Sequence, residues 1–339
     1  MSKQESNLEN RNGKLRAFLE LIRPPALLTA SADSITGWAW ASSFGLITLG
    51  HQHEIESVIL WVTPIILMIA STMIYAAGMA TNDLFDYQED LKDRPFRPIP
   101  SGRISVRAAW RFAIGLQVSA LLLLSLALPY LWGNDATWTL FFAGLTILMT
   151  YLYNRVFKNS LVAPFFMGLC RWANFWIGAS LIFSIHGTLI QSHPLIHFNL
   201  PTYTSLGTLF YVTALTGLSR FETSGGIGSR IWAIFLLLLS THPLWWHILG
   251  LTPSHSYPHL FILYFSTVLS LLWLWQKLKH TLSATPSATQ IQQGVSAGIR
   301  GVALTNMCLC FAFGVWPLAL LILILSLSAG KVARWFYAT

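Results

Sequence analysis

Along the chain, long apolar runs alternate with short polar breaks, and the runs are too long to be read as strands. Runs free of Lys and Arg, Arg171 excepted, lie at about Pro24–Ala41, Val58–Ala80, Phe112–Leu131, Trp138–Tyr153, Leu161–Phe183, Tyr203–Leu218, Ile231–Leu251, His259–Trp275, Gly301–Phe313 and Trp316–Leu327. A membrane-spanning helix needs about 20 such residues. The pattern predicts an all-α, polytopic bundle of nine or ten spans, with the last two runs short. The stretch from Thr281 to Gln293, rich in Ser, Thr, Ala and Gln, reads as a cytoplasmic linker into that last pair.

Charge adds orientation. Basic residues fall in every second break: Lys3 to Arg23, Lys92 to Arg111, Arg155 with Lys158, Arg220 with Arg230, Lys277 and Lys279 with Arg300, and Lys331 with Arg334. The intervening breaks contain no Lys or Arg. Because cytoplasmic loops carry the excess of Lys and Arg, both termini are expected inside, in a bacterial-type inner or plasma membrane. Residues 1–16 form a polar cytoplasmic tail without the apolar core and cleavage site of a secretory signal, so no removal is expected. Residues 17–335 are expected to form one transmembrane domain.

Composition agrees: 54% hydrophobic and 10% charged residues exclude an ordinary soluble domain. The net charge of +8 is spread over the loops instead of one face, which suits membrane lipid headgroups and argues against nucleic acid. Cys170, Cys308 and Cys310 sit in apolar runs without zinc or redox spacing and are expected to be buried thiols. His51, His53, His193, His197, His255 and His259 map to outer loops or helix ends, with His242 mid-span; their irregular spacing predicts interfacial polar residues and no metal site. The 15 Trp residues are expected mainly in interface belts and lipid contacts and not as substrate walls.

One polar stretch carries chemistry. After the second apolar run come Asn82-Asp83-Leu84-Phe85-Asp86-Tyr87-Gln88-Glu89-Asp90, then Arg94-Pro95-Phe96-Arg97-Pro98-Ile99-Pro100-Ser101-Gly102-Arg103. At about 100° per helical residue, Asp83, Asp86 and Asp90 fall within roughly 60° of one another. Repelling carboxylates on one face imply a cation, and oxygen-only ligands suit Mg²⁺, which completes its shell with waters and substrate phosphates. Lys92, Arg94, Arg97 and Arg103 can bind phosphate oxygens directly. The stretch predicts a diphosphate site.

The order Asn-Asp-x-x-Asp-x-x-x-Asp followed by Arg-Pro-x-Arg-Pro-Ile-Pro-Ser-Gly resembles the first aspartate-rich motif of the UbiA superfamily of intramembrane prenyltransferases. Arg23-Pro24-Pro25 resembles the family's amino-terminal signature, and Tyr153-Asn154 with Lys158, then Arg171-Trp172-Ala173-Asn174 and Gly178, resembles its middle section. The likeness implies Asp83, Asp86 and Asp90 as Mg²⁺ ligands and catalytic residues, with Asn82, Arg94, Arg97, Tyr153, Lys158, Arg171, Asn174, Arg220 and Glu222 binding substrate. Family members generally carry a second aspartate-rich motif at the cytoplasmic end of the sixth helix. Here that region reads Leu215-Thr216-Gly217-Leu218-Ser219-Arg220-Phe221-Glu222-Thr223, with Glu222 as its one carboxylate, wording that looks like the EboC-type subfamily.

Two ionisable groups lie well inside spans. Asp33 is about 15 Å along its helix from Arg23, and Arg171 lies at a similar depth. Such groups are costly in hydrocarbon and face the bundle interior, so they are read either as a structural ion pair or as members of a polar cavity. Two functions follow. The leading one is Mg²⁺-dependent transfer of a prenyl group from an isoprenoid diphosphate to a lipophilic or aromatic acceptor, with Phe85, Tyr87, Tyr153, Trp172 and Phe175 as candidate aromatic walls for the carbocation. Its rival is a non-catalytic protein of the same fold that binds or helps transport a lipid or aromatic metabolite.

Overall fold

The computed structural model describes residues 3–48, 57–132, 136–182, 194–248 and 257–337. Thirteen α-helices account for most of them, and no strand occurs among the described residues. They are α1 (Lys3–Ile22), α2 (Pro24–Thr48), α3 (Ser57–Phe85), α4 (Tyr87–Asp93), α5 (Val106–Trp132), α6 (Thr137–Leu152), α7 (Ala163–Ala179), α8 (Pro194–Ser219), α9 (Gly228–Leu239), α10 (His242–Ile248), α11 (Tyr257–Leu278), α12 (Ala288–Ala312) and α13 (Trp316–Tyr337). A π-helical turn, Tyr153–Phe157, continues α6.

Five helices among the described residues are long and apolar enough to cross a membrane: α3, α5, α6 with its π turn, α11 and α12. On α5 the exposed side chains Ile114, Val118, Leu122, Leu126 and Tyr130 recur every four residues, while Ala109, Ala113, Ala120, Leu124 and Leu128 are buried. A helix with an apolar outer face and a small-residue inner face belongs against lipid. The chain is an integral membrane protein.

Helix α2 sits at the centre, packed by α3, α7, α12 and α13. Its Thr29, Ser31, Asp33, Ser34 and Thr36 are at most 2% exposed, so a helix too polar to face lipid has become the axis of the bundle. What brings α7 against it is a reciprocal pair of glycines. A Cβ on Gly37 would lie 2.1 Å from the Phe175 carbonyl oxygen, and one on Gly178 would lie 2.0 Å from that of Ser34. The two backbones are in direct contact, as small residues permit between membrane helices.

Four expectations are corrected. The run Ile231–Leu251 is not one helix: it breaks at Ser240–Thr241 between α9 and α10, where Pro243 has no amide proton to continue a ladder. The expected linker to Gln293 ends at Ser287, whose hydroxyl accepts from Gln290 N while Gln290 Oε1 accepts from Ser287 N, a capping box that starts α12. The last two helices are therefore not short but 25 and 22 residues long. Trp38 and Trp40, which the general expectation for Trp would put at an interface or against lipid, are among the most buried side chains, because no described side chain of α2 is exposed. Cys170, Cys308 and Cys310 are free and buried. His51, His53, His193 and His255 lie outside the described residues, as do the side chains of His197 and His259.

Candidate functional site

Helix α3 does not stop where its apolar run does. Asp86 N donates to Asn82 O at 3.0 Å and Asp90 N to Asp86 O at 2.9 Å, so the ladder passes through the junction into α4 and keeps the three aspartates on consecutive turns. Asp83 and Asp90 are 3% and 2% exposed.

Each carboxylate is held by a basic side chain from elsewhere. Arg23 Nη2 donates to Asp83 Oδ1 at 2.5 Å. Arg97 Nη1 donates to Asp83 Oδ1 at 3.3 Å and to Asp90 Oδ2 at 2.6 Å, so one guanidinium nitrogen bridges two buried carboxylates. Lys158 Nζ donates to Asp86 Oδ2 and, at 3.0 Å, to Asn82 Oδ1, while Asn82 Nδ2 donates to Asp86 at 3.1 Å. Arg94 stands 3.9 Å from Asp90 and is exposed.

Arg23 was not singled out for the site by sequence, although Arg-Pro was visible. Its φ of 48° is the only positive value at a non-glycine among the described residues. A left-handed residue costs about 1–2 kcal/mol, and here it turns α1 into α2, with Pro24 opening the helix at a position that needs no amide, while its guanidinium reaches Asp83.

The loops that carry the basic residues meet at one end of the bundle. Arg220 Nη2 donates to Ser160 O at 2.5 Å, Gln292 Nε2 to Glu222 O at 3.2 Å, and Gly226 N to Pro286 O at 3.3 Å. Arg220 thus ties two loops together and forms no pair with the three aspartates. Glu222 is half-buried, and burial pushes its carboxyl above the ordinary range against the opposing pull of Arg94.

Inward from the carboxylates runs a cavity of about 330 Å³. Asn82 and Arg23 line its mouth, Tyr75, Tyr153 and Met79 its flank, Val212, Leu215, Val295 and Val302 an apolar wall, and Ser71, Arg171 and Asn174 a polar inner end. Of the aromatic candidates only Tyr153 lines it. Phe85 instead packs edge-on to Trp110 and Tyr151, and Phe175 is fully buried. Tyr75, one turn from Met79 and two from Asn82, was the aromatic missed; spacing from Asn82 at seven residues was the available signal.

At the inner end Arg171 and Asp33 meet, as the ion-pair reading of their depth required, and Arg171 also lines the cavity. Arg171 Nε lies 2.5 Å from Asp33 Oδ2, a Coulombic contact too poorly aligned for a hydrogen bond, and Nη2 donates to Asp33 Oδ1 at 3.2 Å and Thr29 O at 3.1 Å. Asn306 Nδ2 and Asn174 Nδ2 also donate to Asp33, at 2.8 and 3.4 Å, and Ser71 donates to Asn174 at 2.7 Å. Asn306 and Ser71 had no signal in sequence beyond being polar in apolar runs.

Can this set hold Mg²⁺? Among the described residues no three carboxylate, thiol or imidazole groups converge on one point. Yet Asp83, Asp86, Asp90 and Asn82 offer oxygen donors only, as Mg²⁺ prefers, and the space between Asp83 and Asp90 already holds a cationic nitrogen. The donors fit the ion on their chemistry.

Comparison with known proteins follows the same lines. Residues 39–292 match the model of the UbiA prenyltransferase family. Digeranylgeranylglyceryl phosphate synthase of Methanothrix thermoacetophila is 36% identical over 109 residues, covering 32% of this chain and 36% of the relative. The same-named protein of Methanococcus aeolicus is 27% identical over 53% of this chain and 57% of its own length. The chain thus spans about a third to just over half the length of the curated relatives it matches. A UbiA homolog from Archaeoglobus fulgidus, solved bound to DMAPP and Mg²⁺, superposes with a TM-score of 0.52 at 18% identity, over 88% of this chain and 99% of that one. A solved structure from work on digeranylgeranylglyceryl phosphate synthase in membranes gives 0.55 at 20% identity, over 90% and 99%. These likenesses show a shared fold.

Proposed function

The chain belongs to the UbiA prenyltransferase family, and from that premise we propose that it moves a prenyl group from an isoprenoid diphosphate to a lipophilic or aromatic acceptor within the membrane, with Mg²⁺. The observation that carries this reading is the cavity: Arg23 and Asn82 in its lining are bonded to Asp83 and Asp86, and Val212, Leu215, Val295 and Val302 give it an apolar wall. A ligand with an anionic head and a hydrocarbon tail matches that polarity.

Asp83, Asp86 and Asp90, with Asn82, would hold Mg²⁺. The bound ion supplies positive charge that neutralises the diphosphate and steadies negative charge on the leaving group. The chain's own groups do the rest. Released from Asp83 and Asp90, Arg97 can pair with phosphate oxygens, as can Lys158 released from Asp86, both over short distances from their present partners. The faces of Tyr75 and Tyr153 attract the developing allylic cation, and Val212, Leu215, Val295 and Val302 keep water from it. The acceptors to be tried include phenols and, from the name shared by the archaeal relatives, glyceryl lipids.

The Leu218-Ser219-Arg220-Phe221-Glu222 wording supports placing the chain in the EboC-type subfamily. The alternating basic loops support both termini in the cytoplasm and therefore ten spans over nine, within a single domain over residues 17–335. A second reading, binding or transport without transfer, is favoured by one observation: at the place of the family's second motif, Arg220 is engaged with Ser160 O and Glu222 is the lone carboxylate.

The deciding experiment is transfer of label from a radiolabelled prenyl diphosphate into phenolic and lipid acceptors by the purified protein, with and without Mg²⁺. Asp83→Asn and Asp86→Asn should each cut a Mg²⁺-dependent rate by about 100-fold or more, the scale of a lost electrostatic contact in a transition state. Absence of both Mg²⁺-dependent diphosphate binding and turnover would replace the enzyme reading with the non-catalytic one.

A further inference from the structure

The inner end of the cavity is polar, but it is not a cationic site. Arg171 is 5% exposed, and its guanidinium is matched by the Asp33 carboxylate, itself fully buried behind it. Asp33 is absent from the cavity lining, whereas Arg171, Asn174 and Ser71 all belong to it. A ligand entering the cavity therefore meets hydrogen-bond donors whose charge has already been cancelled.

The arrangement is also saturated on one side and open on the other. Asp33 receives bonds from Asn306, Asn174 and Arg171, and Asn174 uses its amide group on Ala30 O at 2.9 Å as well. Arg171 Nη2 donates to Asp33 and Thr29, Nε stands against Asp33 as a charge contact without a hydrogen bond, and Nη1 has no hydrogen-bond partner among the described residues. The guanidinium stands 5.7 Å from the centre of the Tyr75 ring. Tyr75 lies seven residues before Asn82 on α3, so this donor sits about 10 Å along the helix from the mouth.

Resting on the prenyl-transfer reading, we propose that this inner end is the subsite for an uncharged oxygen of the acceptor, a carbonyl, ether or hydroxyl about 10 Å from the diphosphate, and that Asp33 selects against carboxylate- or phosphate-bearing acceptors by neutralising Arg171. A neutral oxygen gains a donor and loses little hydration. An anion must be stripped of water in a low-dielectric cavity and finds no net counter-charge to offset that loss. A purely hydrocarbon occupant would leave the Arg171 donor unmet in a dry site. Asp33 is a positioning residue in this scheme, acting through Arg171.

Matched acceptor pairs test it: a long-chain monoalkylglycerol against its phosphate, and an alkylphenol against the same phenol carrying a carboxylate. With the full-length protein, the neutral member of each pair should be preferred by about 10-fold or more in kcat/KM. Asp33→Asn should move that ratio toward the anion by about 10-fold, mainly through a lower KM for the anionic acceptor, since one unit of counter-charge is exposed. Equal loss for both members would mark Asp33 as structural only, and parity or anion preference in the wild type would overturn the proposal even if Asp33→Asn fails to fold. Should no acceptor be prenylated, the same pairs are compared by thermal stabilisation of the full chain. Neutral-over-anionic binding without turnover would sink the transferase reading and keep the subsite, and no binding by either member would remove the subsite itself.

Discussion

Replacing Gly178 by alanine adds one methyl group at the place where α7 touches α2. That Cβ would lie 2.0 Å from Ser34 O and 2.7 Å from Trp38 N, both backbone atoms that cannot rotate away. A carbon and a carbonyl oxygen come no closer than about 3.3 Å, so the helices must part by roughly 1.3 Å at this point. Overpacking of this kind costs about 1–3 kcal/mol. The same displacement stretches the 2.5 Å contact of Arg171 with Asp33, one helical turn or two away on the same pair of helices. The expected loss is therefore at the top of that range, about 3 kcal/mol, lowering the unfolding midpoint in detergent by about 5 °C or more. Gly144→Ala is the control: its Cβ meets nothing within 4 Å, so the change should be neutral or stabilise by up to about 1 kcal/mol through helix propensity. If both variants melt with the wild type, α2 and α7 are not in backbone contact and the placement of Asp33 against Arg171 loses its cause.

Other consequences can be measured in the same assay. Arg171→Ala or Asp33→Ala alone should destabilise by about 3–5 kcal/mol by leaving a buried charge unpaired, and the double variant should recover much of it; additive losses would show no coupling. Ser287→Ala removes the α12 cap and should cost about 0.5–2 kcal/mol, with an unchanged midpoint speaking against the capping box. Burial raises the carboxyl pKa of Glu222 in the folded state, so its contribution is present when it is protonated and is lost as pH rises through that raised value. Glu222→Gln should thus gain stability relative to wild type as pH increases past the ordinary carboxylate range; a pH-independent difference would contradict the burial.

Much of the site was legible before folding because local periodicity decides it. Three aspartates spaced three and four apart on a helix share a face whatever surrounds them, and apolar runs of spanning length can go nowhere but the membrane. The capping box at Ser287 was equally local and was hidden only by a composition that resembles a linker. Hydropathy could not reveal that α9 and α10 are separate, since Pro243 interrupts hydrogen bonding without changing polarity.

Pairing across the bundle was another matter. That Arg97 bridges Asp83 and Asp90, that Arg23 reaches Asp83 from a left-handed turn, and that Arg220 binds a backbone carbonyl and not a carboxylate depend on which loops share an end and how closely they meet. Sequence could place Asp33 and Arg171 at similar depth, but the charge balance at the inner end of the cavity required Gly37 and Gly178 to bring two backbones into contact. Depth follows from counting residues along one helix; contact depends on the packing of two, and only the tertiary structure decides that.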